Sequence, residues 1–261
     1  MRESAFVRQG GAMQISQILS YTDSLLHPNE YKDYAPNGLQ VQGDGREIRK
    51  IALAVTASLA AEKEAVRIGA DALFVHHGWF WKHDDARIVG IRHARIATLL
   101  NSGLALVAYH LPLDDHPEFG NNALFGNALG FTTTGRFGQD NLGWTGLTEK
   151  ELSLQTLTET ITRVLGRQPL VVGPTTRPIR RVAWCTGAAQ DYLEEAAECG
   201  ADAYLSGEIS ERTTHIARET GIPYFACGHH ATERFGIQAL GRKITEQFGI
   251  ETCYIEINNP V

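Results

Sequence analysis

Two histidine pairs carry the first chemical signal in the chain: His76-His77 in "LFVHHGWFWK" (Leu73 to Lys82) and His229-His230 in "CGHHATER" (Cys227 to Arg234). Each follows a short apolar run that reads as a β-strand, and the carboxyl ends of strands are where open α/β sheets bind ligands. Adjacent side chains on a strand point to opposite faces. His76 and His77 therefore serve one site only if the strand has ended, as Gly78 suggests, or if they address two neighbouring ions. His229 and Glu233 are spaced i, i+4, so a helix beginning near His230 puts them on one face, able to grip one ion. His230 then points away, in a supporting or structural role. A carboxylate comes from "YHLPLDDHPEFGNN" (Tyr109 to Asn122), where Pro112 is expected to prevent a regular helix between His110 and Asp114 and leave a loop at a strand end, with Asp114 or Asp115 as ligand. His83, Asp84 and Asp85 read as a solvated turn, and His116 and His215 as packed or surface histidines. The collected set is His76, His77, Asp114, His229 and Glu233, with His110 and Glu208 nearby. All are nitrogen or oxygen donors, a mix that suits zinc, manganese, iron or nickel better than a thiolate-selected metal or the all-oxygen shell of calcium. One carboxylate shared by two ions about 3.5 to 4 Å apart gives a two-metal arrangement.

Such a site needs a folded frame, and the composition supplies one. The 261 residues are 43% apolar and 21% charged, the balance of a globular protein with room for one large or two ordinary domains. No apolar run reaches the roughly 20 residues of a spanning helix, and "MRESAFVRQGGA" lacks the apolar stretch of a secretory signal, so the expected location is the cytoplasm, without a membrane partner. A net charge of −6 argues against a broadly basic nucleic-acid face, while leaving a local basic patch open. Cys185, Cys199, Cys227 and Cys253 are widely spaced, without a C-x-x-C, and three of them sit in or beside apolar runs, which reads as reduced, packed thiols.

Strand-like and helix-like segments alternate. Strands are expected at Ile51 to Val55, Ala72 to Val75, Leu104 to Tyr109, Val182 to Cys185, Ala203 to Leu205 and Tyr224 to Cys227. Helices are expected near Leu59 to Ile68, His93 to Asn101, Asp191 to Cys199 and Glu211 to Thr220, ending at Gly69, Gly103, Gly200 and Gly221. This is α/β order with mostly parallel strands. Moreover, "RKIALAVTASLAAEKEAVRIGADA" (Arg49 to Ala72) aligns with "RRVAWCTGAAQDYLEEAAECGADA" (Arg180 to Ala203) at one constant shift of 131 positions, from 49 to 180. The period is too long for a solenoid and reads as an internal duplication: a loose extension over 1–12, a first repeat over 13–140 and a second over 141–261. The positions of His76-His77 in the first copy are Gly207-Glu208 in the second, which instead carries His229 and Glu233.

Several of these stretches, "HHGWFWK", "YHLPLDDHPEFGNNA", "TGAAQDYLEEAAECGADAYLSGEISERTTH" and "GHHATER", together with "DYAPNGLQVQG" (Asp33 to Gly43) and the ending "IEINNPV", resemble the NIF3-like dinuclear-metal proteins. The likeness is to the short bacterial branch known as homologues of type 2 GTP cyclohydrolase 1, and leaves out only the first dozen residues. It implies two intertwined α/β domains from a duplication, mixed mostly parallel sheets, a homohexameric toroid, and two divalent metal ions per chain. Carried over by position, it implies His76, His77, Asp114, His229 and Glu233 as ligands, taking Asp114 over Asp115, with Glu208 as an acid near the site.

Two such ions activate water and polarise a carbonyl or amidine, so hydrolysis of a nucleotide or related small heterocycle is the expected reaction, with Glu208 or His110 moving protons. No nucleophilic Ser or Cys motif is present, and neither G-x-x-x-x-G-K-[ST] nor G-x-G-x-x-G occurs. Trp79, Phe80, Trp81 and Tyr109 either stack a heterocyclic base or cover an oligomer interface. The alternative from another class is a metal-stabilised ring that binds or regulates a partner without catalysis.

Overall fold

The computed structural model describes residues 11–174 and 177–261. Residues 1–10 of the expected extension lie outside them. Two compact units divide the chain: one runs up to Leu113 and takes up Ile237–Ile257, the other holds Asp114–Gly236 and Asn258–Val261. Each unit is thus assembled from two separate stretches of sequence. The copies expected at 13–140 and 141–261 follow the internal sequence repeat, a different cut from this division by compactness.

Along the chain come α1 (Ile15–Leu26), β1 (Gly38–Val41), β2 (Lys50–Thr56), α2 (Leu59–Arg67), β3 (Ala72–His77), α3 (Gly90–Ser102) and β4 (Ala105–Ala108). The short α4 (Leu111–Asp115) spans the division, and α5 (Asn121–Ala128), β5 (Thr132–Phe137), β6 (Gly143–Leu152), α6 (Leu154–Leu165), β7 (Leu170–Val172) and β8 (Ile179–Cys185) follow. Then come α7 (Leu193–Glu198), β9 (Ala203–Ser206), α8 (Glu211–Thr220), β10 (Tyr224–Ala226), α9 (His229–Thr232), α10 (Arg234–Phe248) and β11 (Glu251–Tyr254).

The first unit holds a sheet in the order β1-β4-β3-β2-β11, parallel except for β1. The second holds β5-β6-β8-β9-β10-β7, in which β8, β9 and β10 are parallel and β5, β6 and β7 join antiparallel. Strands β3 and β9 are buried almost throughout, as expected of parallel strands covered on both faces.

The repeat persists at the level of hydrogen bonds. Ile51 pairs with Ala72 in one sheet and Val182 with Ala203 in the other, each partner displaced by the same 131 positions. The aspartate of each "GADA" corner fastens the start of the neighbouring strand. Asp71 Oδ2 accepts from the N–H groups of Arg49 (2.8 Å) and Lys50 (3.1 Å), and Asp202 Oδ2 from those of Arg180 (3.1 Å) and Arg181 (2.7 Å). The corner glycines Gly69 and Gly200 take φ of 69° and 76°, the left-handed conformation that closes a helix at little steric cost.

Two expectations need correction. Pro112 does not leave an open loop: it is the second residue of α4, where a helix has no use for its missing N–H. Strand β3 does not stop before the histidine pair either. It runs through His77, paired to Thr56, and Gly78 follows, where a Cβ would come 2.3 Å from Gln40 Oε1. Among the cysteines, all free, Cys185 and Cys227 are buried as expected, but Cys199 is exposed.

Candidate metal centre

In the first unit, His76 and His77 close β3 and His110 lies just beyond β4, the parallel neighbour of β3. Their ring centroids are 4.5 Å (His76–His77), 5.2 Å (His76–His110) and 5.7 Å (His77–His110) apart. One ligating atom from each lies within 4.8 Å of those of the other two. Each imidazole is held through Nδ1. His76 Nδ1 donates to the Tyr109 carbonyl (3.0 Å), His77 Nδ1 bonds the Thr56 hydroxyl (3.1 Å), and His110 Nδ1 bonds Asp33 Oδ1 (2.6 Å). Fixing Nδ1 in this way sets the ring orientation and leaves Nε2 as the nitrogen that could ligate an ion.

Asp33 is the residue that motif reading passed over. Its carboxylate also accepts from Asn37 Nδ2 and the Leu111 N–H, both at 2.9 Å, while Asn37 Oδ1 accepts from the His110 N–H at 2.7 Å. Burial alone would raise its pKa. The hydrogen bond and charge of His110, with the Asn37 and Leu111 donors, outweigh burial and hold it at about 2.

The second unit repeats the device with different residues. Helix α9 begins at His229 and ends before Glu233, so the i, i+4 spacing brings His229 Nε2 to 2.9 Å from Glu233 Oε2. His229 Nδ1 bonds Glu208 Oε1 at 2.7 Å. Burial would lower the His229 pKa, but the charge and hydrogen bond of Glu233, then those of Glu208, push it up to about 9. Near pH 7 this imidazole therefore carries a proton, which any cation ligated there would have to displace.

Two glycines make room for this arrangement. A Cβ on Gly187, whose φ is 71°, would stand 2.2 Å from Glu233 Oε1, and one on Gly207 would stand 2.7 Å from His229 Cα. The His230 N–H bonds the Val261 carbonyl, and its side chain is buried.

Asp114 and Asp115 part company. Asp115 pairs with Arg136 in a part-exposed position, whereas Asp114 is buried, its Oδ1 accepting from Asn121 Nδ2 (2.9 Å) and Thr186 Oγ1 (3.4 Å). Asn121 and Asn122 are themselves fixed by the Gly236 and Thr186 N–H groups. Cys185 lies in the field of Asp114 and Glu233. Burial first, and then those two charges, push its thiol far up, so it stays protonated and is no thiolate donor.

The remaining candidates stand apart from these clusters. His83, Asp84 and Asp85 are exposed, His116 stacks on Phe119, and His215 pairs with Glu211 on an exposed face. Of the four aromatic residues, Tyr109 is core, bonding Asp23 and Thr22 through its hydroxyl, and buried Trp79 donates Nε1–H to the Ala57 carbonyl. Arg92 covers Phe80. Trp81 is half-buried, with its ring 5.9 Å from His77 and 5.0 Å from His110.

The profile of the Duf34/NIF3 (NGG1p interacting factor 3) family matches residues 13–260. The chain belongs to the Duf34/NIF3 family. A relative from Allochromatium vinosum called "GTP cyclohydrolase 1 type 2 homolog" is 48% identical over 247 residues, covering 94% of this chain and 97% of the relative. The Escherichia coli K12 protein of the same name is 44% identical over 249 residues, covering 95% of this chain and all of the relative. A solved structure described as "protein ybgI, unknown function" has a TM-score of 0.91 at 43% identity, over 95% of this chain and 100% of that one. Family membership thus accords with the α/β architecture built on two sheets. Among the described residues, no helix is long and apolar enough to cross a membrane.

Proposed function

We propose that the chain is a dinuclear metal-dependent hydrolase acting on a nucleotide or related heterocycle, with His76, His77, Asp114, His229 and Glu233 as ligands to two divalent ions. The observation that carries this reading is the anchoring of the three proposed ligand imidazoles, His76, His77 and His229, through Nδ1, with neighbouring His110 held in the same way. Metal-ligating histidines are commonly held from behind in this manner. The donors fit zinc, manganese, iron or nickel, since they are imidazoles and carboxylates and the buried cysteines are protonated. When bound, two such ions would supply an activated water and a polarised electrophile.

This chain's own groups do the rest. Asp33 holds His110 and Glu208 holds His229; His110 and Glu208 are also the proposed proton carriers. Asn121 and Thr186 orient Asp114. The names of the relatives point to purine-ring opening as the first reaction to try.

A homohexamer and a cytoplasmic location belong to the same proposal. Support for assembly comes from large apolar side chains left in water, among them Leu100 at 63% and Ile88 at 54% exposure. Light scattering should give a multiple of 28.7 kDa, and a monomer at micromolar concentration would remove that part.

The deciding experiment is metal analysis of purified protein, followed by a hydrolase screen over nucleotides and other heterocycles with that metal restored. Metal-dependent turnover is expected, with loss on chelation while the protein stays folded. Absence of turnover, together with collapse of the assembly on chelation, would favour a structural metal in a binding ring.

A further inference from the structure

Trp81, the aromatic neighbour of His77 and His110, also lines a cavity of about 340 Å³ within the first unit. That lies at the lower end of the range for small-molecule sites, roughly 300 to 1,000 Å³. Its charged lining is Arg87, Arg92 and Arg95 against Asp84 and Asp85. Asp85 is already committed: its carboxylate takes the Arg87 fork at 2.6 and 2.8 Å, and its carbonyl takes Arg92.

Arg95 differs from the other two arginines. Its Nε is buried and has no hydrogen-bond acceptor among the described residues. The acid that faces it electrostatically is Glu62, fully buried on α2, whose two oxygens likewise have no donor among the described residues. Burial, opposed by the charge of Arg95, pushes the Glu62 carboxyl up to about 8. Glu62 is therefore mainly protonated at neutral pH and gives Arg95 little counter-charge. Arg95 therefore brings to the cavity lining a guanidinium charge that Glu62 scarcely offsets, and an anionic ligand entering the cavity supplies the missing counter-charge.

We propose that this cavity receives a phosphorylated heterocycle, with the phosphate on Arg95 and Arg92 and the ring against Trp81. Guanidinium forks suit phosphate geometry, and an indole face stacks on planar bases with little regard to their identity. Trp81 belongs both to the cavity lining and to the surroundings of His77 and His110. The inference rests on the proposed function in one respect, that the ligand is the substrate of the metal centre; the binding itself does not depend on it.

The test is calorimetric titration of the metal-free full-length protein with guanosine 5′-monophosphate, guanosine and inorganic phosphate. The nucleotide should bind at least about tenfold more tightly than either fragment, the effect expected of a charge-assisted hydrogen bond. Arg95→Gln should reduce nucleotide binding to the level of guanosine, and Trp81→Ala should reduce it to the level of phosphate. Arg92→Gln gives an independent reading if Arg95→Gln fails to fold, and should weaken nucleotide binding several-fold.

Equal affinity for guanosine and its monophosphate, phosphate binding as tightly as the nucleotide, or nucleotide binding indifferent to the arginine substitutions would overturn the proposal. Arginine-dependent binding without turnover by the metal-loaded protein would retain the cavity and remove the hydrolase. Turnover indifferent to Arg92 and Arg95 would do the reverse.

Discussion

The two copies of the β-α-β-α-β unit share a register and a corner, yet their strand ends carry opposite chemistry. In the first, β3 ends in His76 and His77 and the chain just past β4 in His110, three nitrogen donors backed by the single carboxylate of Asp33. In the second, the place of the histidine pair is taken by Gly207 and Glu208, and one imidazole, His229, stands between two acids. A cluster of imidazoles alone offers a divalent cation no charge compensation. A lone histidine between two carboxylates offers charge but few nitrogens. Donor number and donor charge are thus divided between the copies, and the proposed ligand set takes residues from each.

The largest effect should come from removing charge on the acidic side. Glu233→Gln keeps the volume and loses the anionic oxygen. It should cost at least one ion per chain and more than about 100-fold in affinity, beyond what supporting residues usually contribute. Elemental analysis after dialysis measures this, and full occupancy in the variant would remove Glu233 from the ligand set.

Next is a pair of glycine substitutions that separates strain from site geometry. Gly187→Ala places a methyl group 2.2 Å from Glu233 Oε1 at a φ of 71°, whereas Gly200→Ala, at 76°, meets nothing closer than Arg181 at 3.7 Å. Both should lose roughly 1 to 2 kcal/mol of stability from the left-handed backbone, but only Gly187→Ala should also lose metal. Equal metal loading of the two variants would show that the second copy does not depend on that close approach.

Smaller still, Asp33→Asn and Glu208→Gln should each weaken metal binding by about 10 to 100-fold, because each leaves its histidine present but poorly held. The two anchors are equivalent devices, so effects differing by several orders of magnitude would break the comparison. Magnetic coupling between two bound manganese ions sharpens it further. Ions sharing a carboxylate should couple, and isolated signals would mean that each copy holds its own ion.

The smallest expected effect lies away from the strand ends. Position 62 of the first copy corresponds to 193 of the second, where a buried leucine replaces the buried Glu62. With its pKa raised from 4.5 to about 8, the native state binds the extra proton. Its contribution is therefore fully present below about pH 4.5 and is lost as pH rises through about 8. Glu62→Gln should match the wild type in acid and exceed it by at least about 1 kcal/mol above pH 8, measured by urea unfolding. A constant difference across that range would contradict a protonated Glu62.

What the sequence disclosed follows the range of the interactions. The strand–helix–strand corners were legible because Asp71 and Asp202 bond residues whose positions repeat with the copies, and His229 with Glu233 because four residues make one helical turn. Asp33 was not legible as an anchor, since nothing local links it to His110, and Gly187 looks like any turn glycine until Glu233 lies across it. Pro112 misled because its meaning depends on whether it enters a helix or interrupts one. Strand β5, "TTTGRF", is too polar to announce itself, and β6 pairs with β8 only after a long excursion of chain.

The pairing of β2 with the last strand, β11, has a consequence for the ribosome. Strand β2 receives β11 with Leu53 opposite Tyr254, so one flank of the first sheet remains open until nearly the whole of the described chain has been translated. At about 5 to 20 residues per second, the interval is on the order of ten seconds or more, during which an apolar strand edge is exposed to other nascent chains. The second unit, by contrast, has most of its sequence available before β11 is made. Newly made protein should therefore lean on a trigger-factor-like holdase for its amino-terminal half, and fragments truncated before Glu251 should aggregate through β2.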